Sequence, residues 1–252
     1  MLTTPIRSVA LVTDAASPVG RAVALALARQ GWDLALHYQD DAAPAALSAL
    51  LPDCQALGAQ AMTIRCTLSK ETEIHALLPS VAAELGNVRC IVNNASHVEQ
   101  DSPAGFSAAV LERHMQSNLA APLLLAQALH AATLKSGGAQ AVVINLLDQK
   151  LFNPQPDFLS YTLSKAALHS ATALLAQAFA PQLRVVAIAP SLAAAGGSSK
   201  PPATLEDIAA TVCFVAASSA ITGSTLLVDG GQHLYPHPWD HAAAHGQQSH
   251  PH

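Results

Sequence analysis

The strongest constraint on this chain is a repeated alternation. Short apolar runs recur along it, with Ala- and Leu-rich segments between them. The runs Ser8 to Thr13, Asp33 to Tyr38, Ala61 to Cys66, Val88 to Asn93, Ala141 to Leu147, Leu183 to Ala189 and Ser224 to Val228 read as strands. A strand with no polar face is buried on both sides, as in a parallel sheet covered by helices on its two faces. The alternation therefore predicts an α/β chain: one doubly wound parallel sheet of seven strands, flanked by helices. The 252 residues suit a single such domain. That domain is expected over residues 1–234, with a His-rich C-terminal tail at 235–252.

The connecting segments carry helix signals. Gly20 opens an Ala/Leu helix that ends at Gly31, and a second helix lies around Ala43 to Leu57. Ser69 is placed to cap a helix from Lys70 to Leu85. A long helix is expected from Ser107 to Leu134. Within it Pro122 removes the bond to the Asn118 carbonyl and leaves that residue a free backbone group. Another helix runs to about Ala180. Pro190 to Pro202 reads as a loop long enough to be a lid. Thr204 to Asp207 is a capping signature for a last helix, Ile208 to Ala217.

Composition excludes several roles. Net charge is −5 and no Lys/Arg cluster exists, so the footprint of a nucleic-acid binder is absent. No apolar run is long enough to span a membrane. Met1 to Ser8 lacks a charged-then-apolar signal pattern. Cys54, Cys66, Cys90 and Cys213 are scattered, as expected for reduced thiols in a cytoplasmic protein. Only 12% of residues are charged, which fits a surface partly buried against other subunits. His237, His241 and His245 have i, i+4 spacing, but Pro238 interrupts them and no carboxylate or Cys cluster joins them. No metal site is expected.

The chemistry concentrates between Asp148 and Lys165. Tyr161 and Lys165 are four apart and share a helix face. An ammonium beside a phenol favours the phenolate and lowers the phenol pKa, making the Tyr a proton exchanger. Asp148 lies thirteen residues before Tyr161, where the chain leaves a strand. It could complete the site or simply cap a local turn. The loop after the first strand is less persuasive. In a doubly wound sheet that turn meets pyrophosphate, and glycines let the backbone approach the anion. Here Gly20 is its only glycine; Asp14 adds negative charge and Pro18 deletes a donor.

Together these segments resemble the short-chain dehydrogenases/reductases. The resemblance covers residues 6–234. The family's TGxxxGxG loop falls on Thr13 to Gly20, its NNAG on Asn93 to Ser96 and its mid-helix Asn on Asn118. Its YxxxK falls on Tyr161 and Lys165, its PG on Pro190-Ser191, and its closing ITGxxxxVDGG on Ile221 to Gly231. Asp148 in place of the usual Ser, Ser96 in place of Gly, and the His37-Tyr38 pair resemble the pteridine reductases.

The resemblance implies a Rossmann-type fold and an NADP(H) or NAD(H) cofactor. It implies cofactor contacts from Thr13, Ser17, Val19, Gly20, His37, Tyr38, Thr67, Leu68, Asn94, Ala95, Ser96, Lys165, Pro190, Ser191 and Leu192. It gives Asp148, Tyr161, Lys165 and Asn118 to catalysis. Lys165 would lower the Tyr pKa and hold the nicotinamide ribose, and Asn118 would hold a water behind Lys165. Ser96, Phe152 and Phe158 would face a pterin-like small-molecule substrate. Homotetramers are common in the family. Departures are Asp14 and Pro18, Thr67 for an Asp, Ser191 for a Gly, and Asp40 where pteridine reductases carry an Arg for a 2′-phosphate. An acidic residue about twenty positions past Gly20 is the pattern for a ribose 2′-OH, as in NADH. Open alternatives are a carbonyl or alcohol oxidoreductase of the same fold and a non-catalytic dinucleotide-fold subunit.

Overall fold

The computed structural model describes residues 7–137, 139–154, 156–191 and 203–234. The strands are β1 (Val9–Val12), β2 (Asp33–Tyr38), β3 (Ala61–Arg65), β4 (Val88–Asn93), β5 (Ala141–Leu146), β6 (Leu183–Pro190) and β7 (Thr225–Val228). All pair in parallel, in the order β3-β2-β1-β4-β5-β6-β7. β1, β5 and β6 are buried along their whole length, which is why they carry no polar face. Strand order reverses between β1 and β4. The crevice outside their carboxyl ends is where such a sheet takes a ligand.

Helices cover both faces. On one side α1 (Pro18–Arg29), α2 (Ala43–Ala56) and α7 (Leu205–Ala217) pack Leu27, Leu50 and Val212 onto the sheet. On the other, α3 (Glu71–Leu85), α5 (Ala121–Ser136) and α6 (Leu159–Phe179) do so with Ile74, Leu125 and Ala176. The expected capping box at α7 is present, with Thr204 and Asp207 bonding reciprocally.

Four helix starts and spans differ from expectation; α7 begins at Leu205, directly after its Thr204 cap, rather than at Ile208. α1 begins at Pro18, not Gly20, because Ser17 Oγ accepts the Gly20 N–H at 3.1 Å and proline suits a first helical position. α3 begins at Glu71 after Lys70, and Ser69 does not cap it. Glu73 instead reaches back to the Thr67 N–H at 2.6 Å and to Lys70 Nζ at 2.9 Å. The long helix is three pieces: α4 (Ala108–Met115), a π-helical segment Gln116–Ala120, and α5. Pro122 cannot donate to the Asn118 carbonyl, and the chain widens there into the looser i→i+5 pattern.

A buried polar chain ties the sheet to α6. Asn93 Nδ2 donates to Asn145 Oδ1 at 2.8 Å, and Asn145 Nδ2 donates to Thr172 Oγ1 at 3.0 Å. Thr172 Oγ1 donates to the Leu168 carbonyl at 2.9 Å. These groups sit away from water, so each depends on its neighbour. Thr172→Val keeps the shape and strands the Asn145 amide. It should lower unfolding stability by about 1–3 kcal/mol, read by chemical denaturation.

Candidate active site

Asp148 follows β5 directly and uses its two oxygens differently. Oδ1 accepts the Lys150 N–H at 2.8 Å and so caps the short 3-10 turn Gln149–Leu151. Oδ2 accepts the Tyr161 hydroxyl at 3.0 Å. The turn-capping and site-completing roles therefore coexist in one carboxylate. Lys165, one turn further along α6, is only 3% exposed and donates from Nζ to the Leu146 carbonyl at 2.9 Å. The three side chains share a cleft of about 380 Å³ with Asn94, Ser96 and Ser191.

The electrostatics reverse one expectation. Lys165 was expected to pull the Tyr161 pKa down. Burial instead raises it well above the usual phenol value, and the Asp148 charge and hydrogen bond push it the same way. Against these, the Ser96 hydroxyl favours the phenolate. The Lys165 ammonium lies 5.9 Å from the Tyr161 ring centroid and donates one N–H to the Leu146 carbonyl. Burial lowers its own pKa to about 8, against the opposing pull of Asp148. This geometry holds a protonated phenol.

The helix carrying Tyr161 and Lys165 is anchored at its start by Asp101, a residue the sequence did not single out. Its carboxylate accepts the Ser160 N–H at 3.1 Å and also the Ser160 hydroxyl. Asp101 thus supplies the cap that Phe158, the formal N-cap, does not. No local motif announces it, because the two residues are 59 positions apart.

The side chain of Asn118 is fully committed. Oδ1 accepts the His97 N–H at 2.7 Å, and Nδ2 donates to the His97 carbonyl at 2.9 Å and to Ser164 Oγ at 3.0 Å. It clamps the loop after β4 against α6. Neither Phe152 nor Phe158 lines the cleft. Phe152 meets His169 edge-on at 5.7 Å, and Phe158 lies under the Lys150 ammonium at 4.4 Å. Lys150 and Val98 line the cleft where the aromatic rings were expected.

The cofactor loop departs from the family in sequence but keeps its shape. Asp14, where the family has its first glycine, adopts φ 50°, a left-handed conformation that Asp tolerates better than most residues. Gly20 is indispensable: a Cβ there would sit 2.3 Å from the Asp14 carbonyl oxygen. Thr13 Oγ1 accepts the N–H groups of Asn94 and Ala95, both at 2.9 Å. Asn94 Nδ2 returns bonds to the Thr13 and Asp14 carbonyls at 2.9 Å and to Ser17 Oγ at 3.0 Å. Val19, whose N–H belongs to the unpaired first turn of α1, lines the same cleft as Tyr161 and Lys165. The close loop–helix contact at Gly20 and the retained left-handed turn fit a dinucleotide.

Other predicted contacts sort by burial. Pro190 and Ser191 line the cleft at the end of β6. Thr67 and Leu68 follow β3, where the Leu68 side chain is buried. Tyr38 is half-buried. His37 is completely buried, so its side chain supports the loop rather than contacting a ligand. Leu192, the Pro190 to Pro202 loop beyond Ser191, and the tail histidines after Leu234 lie outside the described residues. His233 is engaged by Asp229 at 2.6 Å. Among the described residues no group of His, Cys, Asp or Glu could hold a metal ion, and no helix is long and apolar enough to cross a membrane.

A second cleft of about 880 Å³ adjoins the first through Ser96 and Val98, with Asp40 and Arg113 on its walls. Asp14 is coupled to Asp40: burial raises its pKa and the Asp40 charge raises it further. Two carboxylates therefore influence this end of the site.

A doubly wound parallel sheet with a Tyr–Lys pair at the carboxyl ends of its strands defines a dinucleotide-fold oxidoreductase. Residues 8–201 match the short chain dehydrogenase family, and the chain belongs to it. NAD(P)(H) is the cofactor of that family, and solved relatives carry NADP or NAD+. The dihydromonapterin reductase of Klebsiella pneumoniae is 28% identical over 223 residues, covering 82% of this chain and 93% of that protein. The crystal structure of FolM alternative dihydrofolate reductase 1 from Brucella suis with NADP superimposes with a TM-score of 0.83. It is 32% identical and covers 90% of this chain and 96% of its own. Glucose 1-dehydrogenase 2 of Bacillus subtilis is 27% identical over 248 residues, covering 90% of this chain and 95% of that protein.

The buried ammonium sets a pH limit. Lys165 is cationic below its pKa of about 8 and neutral above it. Tyr161, with a raised pKa, stays protonated across that range. The kcat/KM for cofactor, which reports free-enzyme groups, should hold below pH 8 and fall above it. A profile flat to pH 10 would show that the Lys165 charge is not needed.

Proposed function

We propose that this protein reduces a C=N bond in a dihydropterin ring, with Tyr161 donating the proton and Asp148 directing it. The observation that carries the reading is the 3.0 Å bond from the Tyr161 hydroxyl to Asp148 Oδ2. Ser, the usual residue at this place in the family, would offer a second donor, which suits a carbonyl oxygen. A carboxylate cannot donate when ionised. It orients the phenol proton and keeps the phenol protonated rather than ionised, so that the proton is in place for a ring nitrogen. Relatives named dihydromonapterin reductase and alternative dihydrofolate reductase support the same substrate class.

Val19, Gly20, Asn94, Lys165 and Ser191 would hold the cofactor along the two clefts. When bound, the nicotinamide supplies a hydride. The residues of the chain manage the proton. Tyr161 gives its hydroxyl proton to the substrate nitrogen, and Ser96 and the Lys165 ammonium stabilise the resulting phenolate. Asp148, bonded to the phenol, guides its reprotonation from solvent. The Asn118 carbonyl, which Pro122 cannot bond, is the candidate to hold a water behind Lys165. Asp40, coupled to Asp14, supports NADH over NADPH, because two carboxylates repel a 2′-phosphate.

The reading is tested by steady-state assays of dihydrobiopterin and dihydromonapterin with each cofactor. Turnover is expected, with the lower KM for NADH. Asp148→Ser should cut pterin kcat/KM by about 100-fold or more. No turnover with either cofactor would end the pterin reading. Turnover of ketones or sugars by the same preparation, with pterins inert, would favour the carbonyl alternative. That alternative draws on the likeness to glucose 1-dehydrogenase 2.

A further inference from the structure

The phosphate loop poses a problem that the catalytic residues do not solve. Its left-handed turn, normally a glycine's, is made by Asp14 at φ 50°. A non-glycine residue in this region carries some strain, less for Asp than for most, and its surroundings must hold it there. The structure shows what does so. The Asp14 N–H donates to Nδ1 of His37 at 3.2 Å. The other ring nitrogen, Nε2, donates to the Cys66 carbonyl at 2.9 Å. The His37 carbonyl accepts the Ala15 N–H at 3.0 Å. One residue of β2 therefore holds two successive N–H groups of the loop and ties them to the end of β3.

We propose that His37 is a positioning residue for the dinucleotide site, a neutral imidazole latch that holds Asp14 in the left-handed turn a glycine would adopt freely. Three observations converge on this role. The ring is 0% exposed, so it makes no ligand contact of its own. Its bonds require opposite roles of its two nitrogens, an acceptor toward Asp14 and a donor toward Cys66, which only the neutral ring supplies. Burial keeps it in that form by lowering its pKa to about 4. The latch also explains how Asp14 is compatible with a built loop. The Asp14 carbonyl, oriented by the turn, accepts from Ser17 Oγ at 2.9 Å and Asn94 Nδ2 at 2.9 Å. Ser17 in turn caps α1 through the Gly20 N–H. A loosened Asp14 would let the α1 N-terminus drift from the cleft.

The latch hypothesis makes a specific coupling prediction that a plain core role does not. If His37 acts by constraining Asp14, removing the need for constraint should remove the need for His37. NADH and NADPH are titrated directly by nucleotide fluorescence into the wild-type chain, His37→Leu, Asp14→Gly and the double variant, with thermal melts of each. His37→Leu should raise Kd for both nucleotides by about tenfold or more. In the Asp14→Gly background the same substitution should raise Kd by no more than about threefold. Equal losses in both backgrounds, or no loss in either, would overturn the latch. If His37→Leu does not fold, His37→Gln, which can keep one of the two side-chain bonds, takes its place under the same criterion with a smaller expected loss. The readout is binding alone, so it stands whether or not pterins are the substrate.

Discussion

The contact between the Tyr161 hydroxyl and Asp148 Oδ2, 3.0 Å long, favours the neutral phenol, and much of the fold keeps it in place. Asp148 is aimed by the end of β5 and by the turn it caps through Lys150. Tyr161 is aimed by α6, which Asp101 holds at its first turn and Thr172 holds to the sheet further along. Ser164, one turn after Ser160, bonds back to the Tyr161 carbonyl at 2.7 Å and receives Asn118. The Tyr161–Asp148 pair thus sits where β4, β5, the π-helical segment and α6 meet. Each of these elements is fixed by a buried polar bond that cannot be lost without stranding its partner.

The consequence is a phenol whose acidity is set by its surroundings rather than by the neighbouring lysine. Desolvation and a facing carboxylate both favour the neutral form. Lys165 meanwhile donates one N–H to the Leu146 carbonyl, and burial makes it easier to deprotonate. The proton donor we propose needs to hold its proton until the substrate arrives, and burial with the facing carboxylate favours that. The cofactor side is built on a different compromise. Asp14 and Pro18 remove a glycine and a donor, yet the turn survives because His37, Ser17 and Asn94 hold its backbone groups. What changed is charge: the loop now carries a carboxylate coupled to Asp40.

The seven parallel strands and the shared helix face of Tyr161 and Lys165 were legible in the sequence, because a buried parallel strand has no polar face and a helix repeats every 3.6 residues; the spatial order of the strands was not. Asp148 was legible as a thirteen-residue offset from Tyr161, though not that its two oxygens would serve two purposes. Pro122 announced a break, but not that the chain would absorb it as a π-helical segment. Asp101 and His37 were not legible as supports. Their partners lie 59 and 23 positions away, and pattern reading sees only neighbours. The direction of the Tyr161 shift was misjudged for a related reason. Spacing gives the nearest charge, whereas burial comes from the whole packed surround.

The central claim is that Tyr161 is kept protonated by burial and by Asp148. It is tested most directly by ultraviolet difference titration of the phenol. The chain has three tyrosines, Tyr38, Tyr161 and Tyr235, so Tyr38→Phe with Tyr235→Phe leaves a single signal. In that background Tyr161 should ionise above the ordinary value of about 10, and Asp148→Ser should bring the ionisation down. A phenolate forming near neutral pH with Asp148 in place would contradict the account.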